Sequence, residues 1–208
     1  QGTKEEILKI ENVLKRNKWK VTSYMGTNGT EESFLNMHGK SPRLLHLATH
    51  GFYYSPSKAE KVDYLKGYTD AMSLSGLVLA GGNAAWLGKQ LPNGVLGGIL
   101  TANDIARLDL NNTDMAVLSA CQTGQGKATA EGLYGLQRAF KKAGVGTIVM
   151  SLWSVSDMAT SEFMIAFYKC LADKNNAWNK RKAFEQAKEI IRKKHPDPYH
   201  WAAFVMLD

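Results

Sequence analysis

The sequence is poor in cysteine. Two cysteines in 208 residues, Cys121 and Cys170, are too few for a disulfide framework and point to a reducing, cytoplasmic setting. Hydrophobic runs of membrane-spanning length are also missing. The longest, such as Val145 to Trp153 and Ser75 to Ala80, are strand-sized, well short of the roughly 18 residues a span needs. The start, QGTKEEILKIENVLK, lacks an apolar signal core and an initiator methionine, so the chain is expected to be a C-terminal piece of a longer protein. No internal repeat, low-complexity tract or linker interrupts it. One domain over 1–208 is therefore expected, with an N-terminal helix–strand–helix part over 1–42 and a core over 43–208. The 44% apolar content suffices to fill such a core.

The +7 net charge is uneven. Lys174 to Lys194 holds eight Lys/Arg against two Glu, while residues 21–173 carry twelve of each sign. The basic segment, NAWNKRKAFEQAKEIIRKK, has helical periodicity with Trp178, Ala183, Ala187 and Ile190 on one stripe. No aromatic stacking platform accompanies it, so a solvated helix face is expected rather than nucleic-acid contact.

Helix-like and strand-like stretches alternate along the chain. Glu5 to Arg16 reads as a helix, WKVTSYMG as a short strand, and TEESFLNMH as a helix capped by Thr30. RLLHLAT, LSGLVLAG, MAVLSA, VGTIVMSLW and WAAFVML read as strands, several of them with almost no polar face. Between them lie a polar loop from Tyr53 to Asp70 and an irregular stretch, GNAAWLGKQLPNGVLGG. Three further helices complete the pattern. They are TANDIARLDL, capped by Thr101 or Asn103; TAEGLYGLQRAFKKAG, stopped at Gly144; and MATSEFMIAFYKCLAD, with Cys170 as core filler. This alternation predicts an α/β sandwich on a largely parallel central sheet. Sites in such sheets lie beyond the carboxyl ends of the strands.

Two strands are expected to end in reactive side chains, LLHLATHG in His50-Gly51 and MAVLSAC in Cys121. If they are parallel neighbours, the two side chains meet at one edge of the sheet. A thiol beside an imidazole suits a nucleophile with a proton-transfer partner. The N–H groups of Gly51 and Cys121, freed at turns, are candidate oxyanion donors. Set against this, a single cysteine at a strand end is often just a small buried residue, and a single histidine is often structural.

Other chemistries find little support. HLATH places His46 and His50 four apart, but on a strand that spacing spans roughly 13 Å, too far for one metal ion. His46 is expected to lie deeper, as a core histidine. His195 and His200 bracket PDPY without a nearby cysteine or carboxylate cluster. No metal and no cofactor are expected. The glycine-rich AGGN and TGQGKATAEG match neither a P-loop nor a dinucleotide fingerprint.

Six segments taken together, LLHLATHGF, LSGLVLAG, GGILTANDIARLDL, VLSACQTGQG, EGLYGLQRAFKKAGVGTIVMSLWSVSD and HWAAFVML, resemble the CHAT domain. That family is caspase-like, grouped with caspases, metacaspases and separases. The resemblance implies a three-layer α/β/α sandwich and a cysteine endopeptidase with His50 and Cys121 as its dyad. It also implies that Ser151, Leu152, Trp153 and Ser154 pair with an extended protein or peptide substrate by strand addition. Asp157 would then be an S1 acid for substrates cut after Arg or Lys, or else a helix cap. Asp104 and Glu131 fit family positions as supports of the site or as caps. Family members often follow tetratricopeptide repeats, so a regulatory domain or partner outside this chain is implied, with signalling or bacterial defence as the setting. Two other functions stay open: a catalytically silent scaffold for protein–protein interaction, and a thiol-dependent ester or acyl hydrolase.

Overall fold

The computed structural model describes residues 2–62, 65–89, 96–119 and 130–208. In chain order the first elements are α1 (Gly2–Arg16), α2 (Glu31–Leu35), β1 (Leu44–Leu47), β2 (His50–Tyr53), α3 (Pro56–Ala59) and β3 (Ser75–Val78). They are followed by α4 (Gly82–Trp86), β4 (Ile99–Thr101), α5 (Ala102–Ala106), β5 (Met115–Leu118) and α6 (Ala130–Lys142). The last are β6 (Thr147–Ser151), α7 (Asp157–Ala172), α8 (Lys180–Lys194) and β7 (Phe204–Leu207). The protein is mixed α/β with a mostly parallel central sheet. It divides into two compact units, residues 1–23 with 153–206, and residues 24–152 with 207–208.

The second unit is built on two sheets. In the central one β1 runs parallel to β5, from Leu44 opposite Met115 to Leu47 opposite Leu118. β5 in turn runs parallel to β6. All four residues of β5 are buried, as an unbroken apolar strand between two parallel neighbours requires. A smaller antiparallel sheet joins β2, β3 and β4. The sequence pattern gives no hint of this sheet. It reads LLHLATHG as one strand, whereas β1 ends at Leu47 and His50 opens a new strand opposite Val78.

The antiparallel sheet has its own apolar cluster. Phe52, Ala59, Leu65, Leu74 and Ile99 are buried together, with Tyr54 and Trp86 packed against them. The Phe52 and Trp86 rings lie 5.1 Å apart, an edge-to-face pair. The expected polar loop after Tyr53 therefore contains a one-turn helix, α3, and two core residues. The expected irregular stretch after β3 likewise contains α4.

Helix ends follow local chemistry. The Thr30 hydroxyl accepts from the Ser33 N–H. Thr101 and Asp104 form a reciprocal capping box at α5, so Thr101 rather than Asn103 is the cap. Gly144 follows α6 at φ +99°, where a Cβ would sit 2.1 Å from Asn111 Oδ1. Only glycine fits there.

The first unit is mainly helical. α1 and α8 both pack on α7. Phe163 of α7 stacks on Phe204 with ring centroids 3.9 Å apart and meets Phe184 edge-on. On α8 the buried residues are Ala183, Phe184, Ala187 and Ile191. Ile190, expected on that stripe, is exposed, because the buried face centres on residues 184, 187 and 191 and position 190 lies at its edge. WKVTSYMG forms no strand. Alternation alone supplies no partner ladder. Among the described residues no helix is long and apolar enough to cross a membrane.

Candidate active site

The ends of β1 and β5 are locked side by side. Leu47 is registered with Leu118, and the next N–H, that of Ser119, donates to the Leu47 carbonyl at 2.9 Å. The two strands run in the same direction here. His50 follows Leu47 by three residues, and Cys121 follows Leu118 by three. Cys121, its N–H and the segment 120–129 lie outside the described residues.

His50 is exposed at the first position of β2, and Gly51 is buried opposite Leu77. The Thr49 hydroxyl donates to the carbonyl of Val78, the residue registered with His50. This bond pins the backbone just before the imidazole, where the chain passes from one sheet to the other. His46 is half-buried in β1 opposite Val117. It and His50 belong to different strands, so the expected single-strand spacing between them does not apply.

The segment leading into β4 is tied by carboxylates from α2. Glu31 accepts from the Gly98 N–H at 2.9 Å and Glu32 from the Leu96 N–H at 2.7 Å. Burial pushes the Glu31 carboxyl above the usual range, partly offset by the Gly98 N–H.

Ser151 closes β6, and Leu152 is exposed beyond it. In the other unit, Trp153 Nε1 donates to the Tyr199 carbonyl at 3.1 Å. The Tyr199 hydroxyl donates to the Ser154 carbonyl at 2.6 Å. Asp157 is the exposed first residue of α7. The cap is not Asp157 but Ser156, whose hydroxyl accepts from the Ala159 N–H. Asp104 is occupied in its capping box, and the side chain of Glu131 lies outside the described residues.

Three features escape sequence reasoning. Tyr199 sits 45 residues from Ser154, and only its place in a proline-bounded turn marks it. His195 has a carboxylate partner after all, Glu162 of α7, at 2.7 Å. The bond to Lys194 and then that to His195 hold the Glu162 carboxyl below its usual range. Cys170, expected as core filler, is only half-buried. Burial, reinforced by the charge of Asp173, pushes its thiol up, so it is a poor nucleophile. Among the described residues, no three His, Cys, Asp or Glu gather as a metal site would need.

Mixed α/β architecture on a mostly parallel central sheet, with β1 and β5 ending in register, fits one class, the caspase-like α/β domain. The family profile described as "CHAT domain" matches residues 1–208. The chain belongs to the CHAT domain family, which is related to caspase-like cysteine peptidases. It is 33% identical over 111 residues to Tetratricopeptide repeat protein 28 of Mus musculus, and equally so to the protein of that name from Homo sapiens. The match covers 52% of this chain and 4% of each relative. The chain thus spans a small fraction of the length of these curated relatives.

Proposed function

We propose that this chain is a cysteine endopeptidase acting through Cys121 and His50. The observation that carries the reading is the shared edge: β1 and β5 end in register, and each leads in three residues to one member of the dyad. Family membership adds to it.

In this mechanism His50 takes the proton of the Cys121 thiol, and the thiolate adds to the scissile carbonyl carbon. The N–H groups of Gly51 and Cys121 hold the resulting oxyanion. His50 then protonates the departing amine as the C–N bond breaks, leaving a thioester. Water, deprotonated by His50, hydrolyses the thioester and restores the thiol. No cofactor enters. Residues 151–154 receive the substrate backbone as an added strand, and Asp157, exposed and freed from capping by Ser156, receives an Arg or Lys side chain.

The whole of 1–208 acts as one peptidase domain. The name of the relatives, which refers to tetratricopeptide repeats, supports regulation by a repeat region or partner outside this sequence. The setting is cytoplasmic, in signalling or defence.

Unbiased mapping of cleavage sites in a proteome, with Cys121→Ala as control, tests the proposal. New termini after Arg or Lys are expected with the parent protein. The losses on Cys121→Ala and on His50→Ala should be on the order of 10³-fold or more. Turnover confined to ester substrates would replace the peptidase with a thiol hydrolase. No turnover and no peptidyl-ketone labelling of Cys121 would leave a binding scaffold.

A further inference from the structure

We infer that Tyr199 is a positioning residue for the substrate segment, holding the Trp153–Ser154 backbone in place so that it governs peptide binding rather than the chemical step. The inference rests on the peptidase reading above. β6 ends at Ser151 and α7 begins at Asp157, so residues 152–155 lie in neither a strand nor a helix. A segment of this kind can receive a strand only if something else fixes its backbone.

Tyr199 supplies that restraint twice over. Its hydroxyl donates to the Ser154 carbonyl at 2.6 Å, and its own carbonyl accepts from Trp153 Nε1 at 3.1 Å. The two rings lie 6.3 Å apart at 34°. Two consecutive residues are thereby tied to one tyrosine, one through its side chain and one through its backbone.

The tyrosine is itself held in advance. It occupies the tight helical turn Pro198–His200, where Asp197 Oδ1 accepts the Tyr199 N–H at 2.9 Å and proline fixes φ. Just before the turn, His195 is bonded to Glu162. Tyr199 nevertheless remains 51% exposed. Its hydroxyl is spent on the backbone carbonyl of exposed Ser154.

The test uses the full chain with Tyr199→Phe, which keeps the ring and deletes the donor. Cys121 is labelled with a tripeptidyl acyloxymethyl ketone ending in Arg, and separately with iodoacetamide, each followed by mass spectrometry of the Cys121 peptide. The concentration giving half-maximal ketone inactivation should rise about fivefold to tenfold. The maximal inactivation rate and the iodoacetamide rate should stay within about twofold. Trp153→Phe, which loses the indole donor, should shift the same constant in the same direction. Ketone kinetics equal to the parent's would remove the role of Tyr199 and leave the peptidase reading standing. Equal falls in the maximal rate and in iodoacetamide reactivity would show that Tyr199 acts on the nucleophile, overturning the positioning role. If the parent protein is alkylated by iodoacetamide but never by the ketone, the peptidase reading fails and takes this inference with it.

Discussion

The two units reach order by different physics. The helical unit is held by stacked aromatic rings around Phe163 and by charged groups such as Glu162, Lys194 and His195 at its surface. The sheet unit is held by ladders and by backbones that approach closely at glycines, as at Gly76, where a Cβ would meet the Leu100 carbonyl at 2.3 Å. Rings in a core can adjust by small rotations, whereas a ladder tolerates little displacement. His50 lies in the stiffer region, on a strand start fixed by Thr49. The Trp153–Ser154 segment borrows its order from side chains. On the proposed function, chemistry would sit where backbone geometry is fixed, and peptide contact where it is held by removable bonds.

Substitutions can break this contrast or sharpen it. The largest expected effect is Phe163→Ala, which should cost about 4 kcal/mol of stability in urea unfolding, since a buried ring with three aromatic neighbours is lost. Gly76→Ala should cost about 3 kcal/mol by the same measurement, from backbone collision rather than a cavity. If Gly76→Ala proved neutral, the sheet unit would not be the stiffer one.

Smaller and more diagnostic is a pair of glutamates with opposite pH behaviour. Glu162 has a lowered carboxyl pKa, chiefly through Lys194. Its contribution is therefore present at neutral pH and lost as pH falls below about 4.3 and through the lowered folded value. The stability gap between the parent and Glu162→Gln, under about 1 kcal/mol, should close in acid. Glu31 has a raised pKa through burial. Its folded state favours the protonated carboxyl, so the parent should be favoured over Glu31→Gln in acid. That advantage should disappear as pH rises through the raised value. Unfolding midpoints of both variants between pH 3 and pH 7 check the two signs. Parallel trends would erase the distinction.

Much of the central sheet was legible because buried parallel strands are written as apolar runs. RLLHLAT, MAVLSA and VGTIVMSLW each contain an observed strand. Caps at Thr30 and Thr101 and the stop at Gly144 were equally readable, since each depends on its immediate neighbours. The antiparallel sheet was not. β4 is three residues long, too short to show a period. The break between Leu47 and His50 depends on a bond from Thr49 to a residue 29 positions away. His50 could be singled out from its sequence setting, but its strand was misassigned, since it opens β2 instead of ending β1. The bonds of Tyr199 to Trp153 and Ser154 could not be foreseen, because these partners are distant in the chain and close only after folding. Asp157 lost the cap to its neighbour because a serine hydroxyl one residue earlier reaches the Ala159 N–H first.

β5 carries one more consequence. Met115, Ala116 and Val117 are fully buried and Leu118 nearly so, flanked by β1 and β6. Amides so placed exchange with deuterated solvent only when the surrounding unit opens as a whole. A peptide that binds the native protein must slow that exchange by the factor one plus its concentration over its dissociation constant. On the proposed function, the strand leading to Cys121 would thus be a built-in gauge of peptide occupancy, readable in a Cys121→Ala protein.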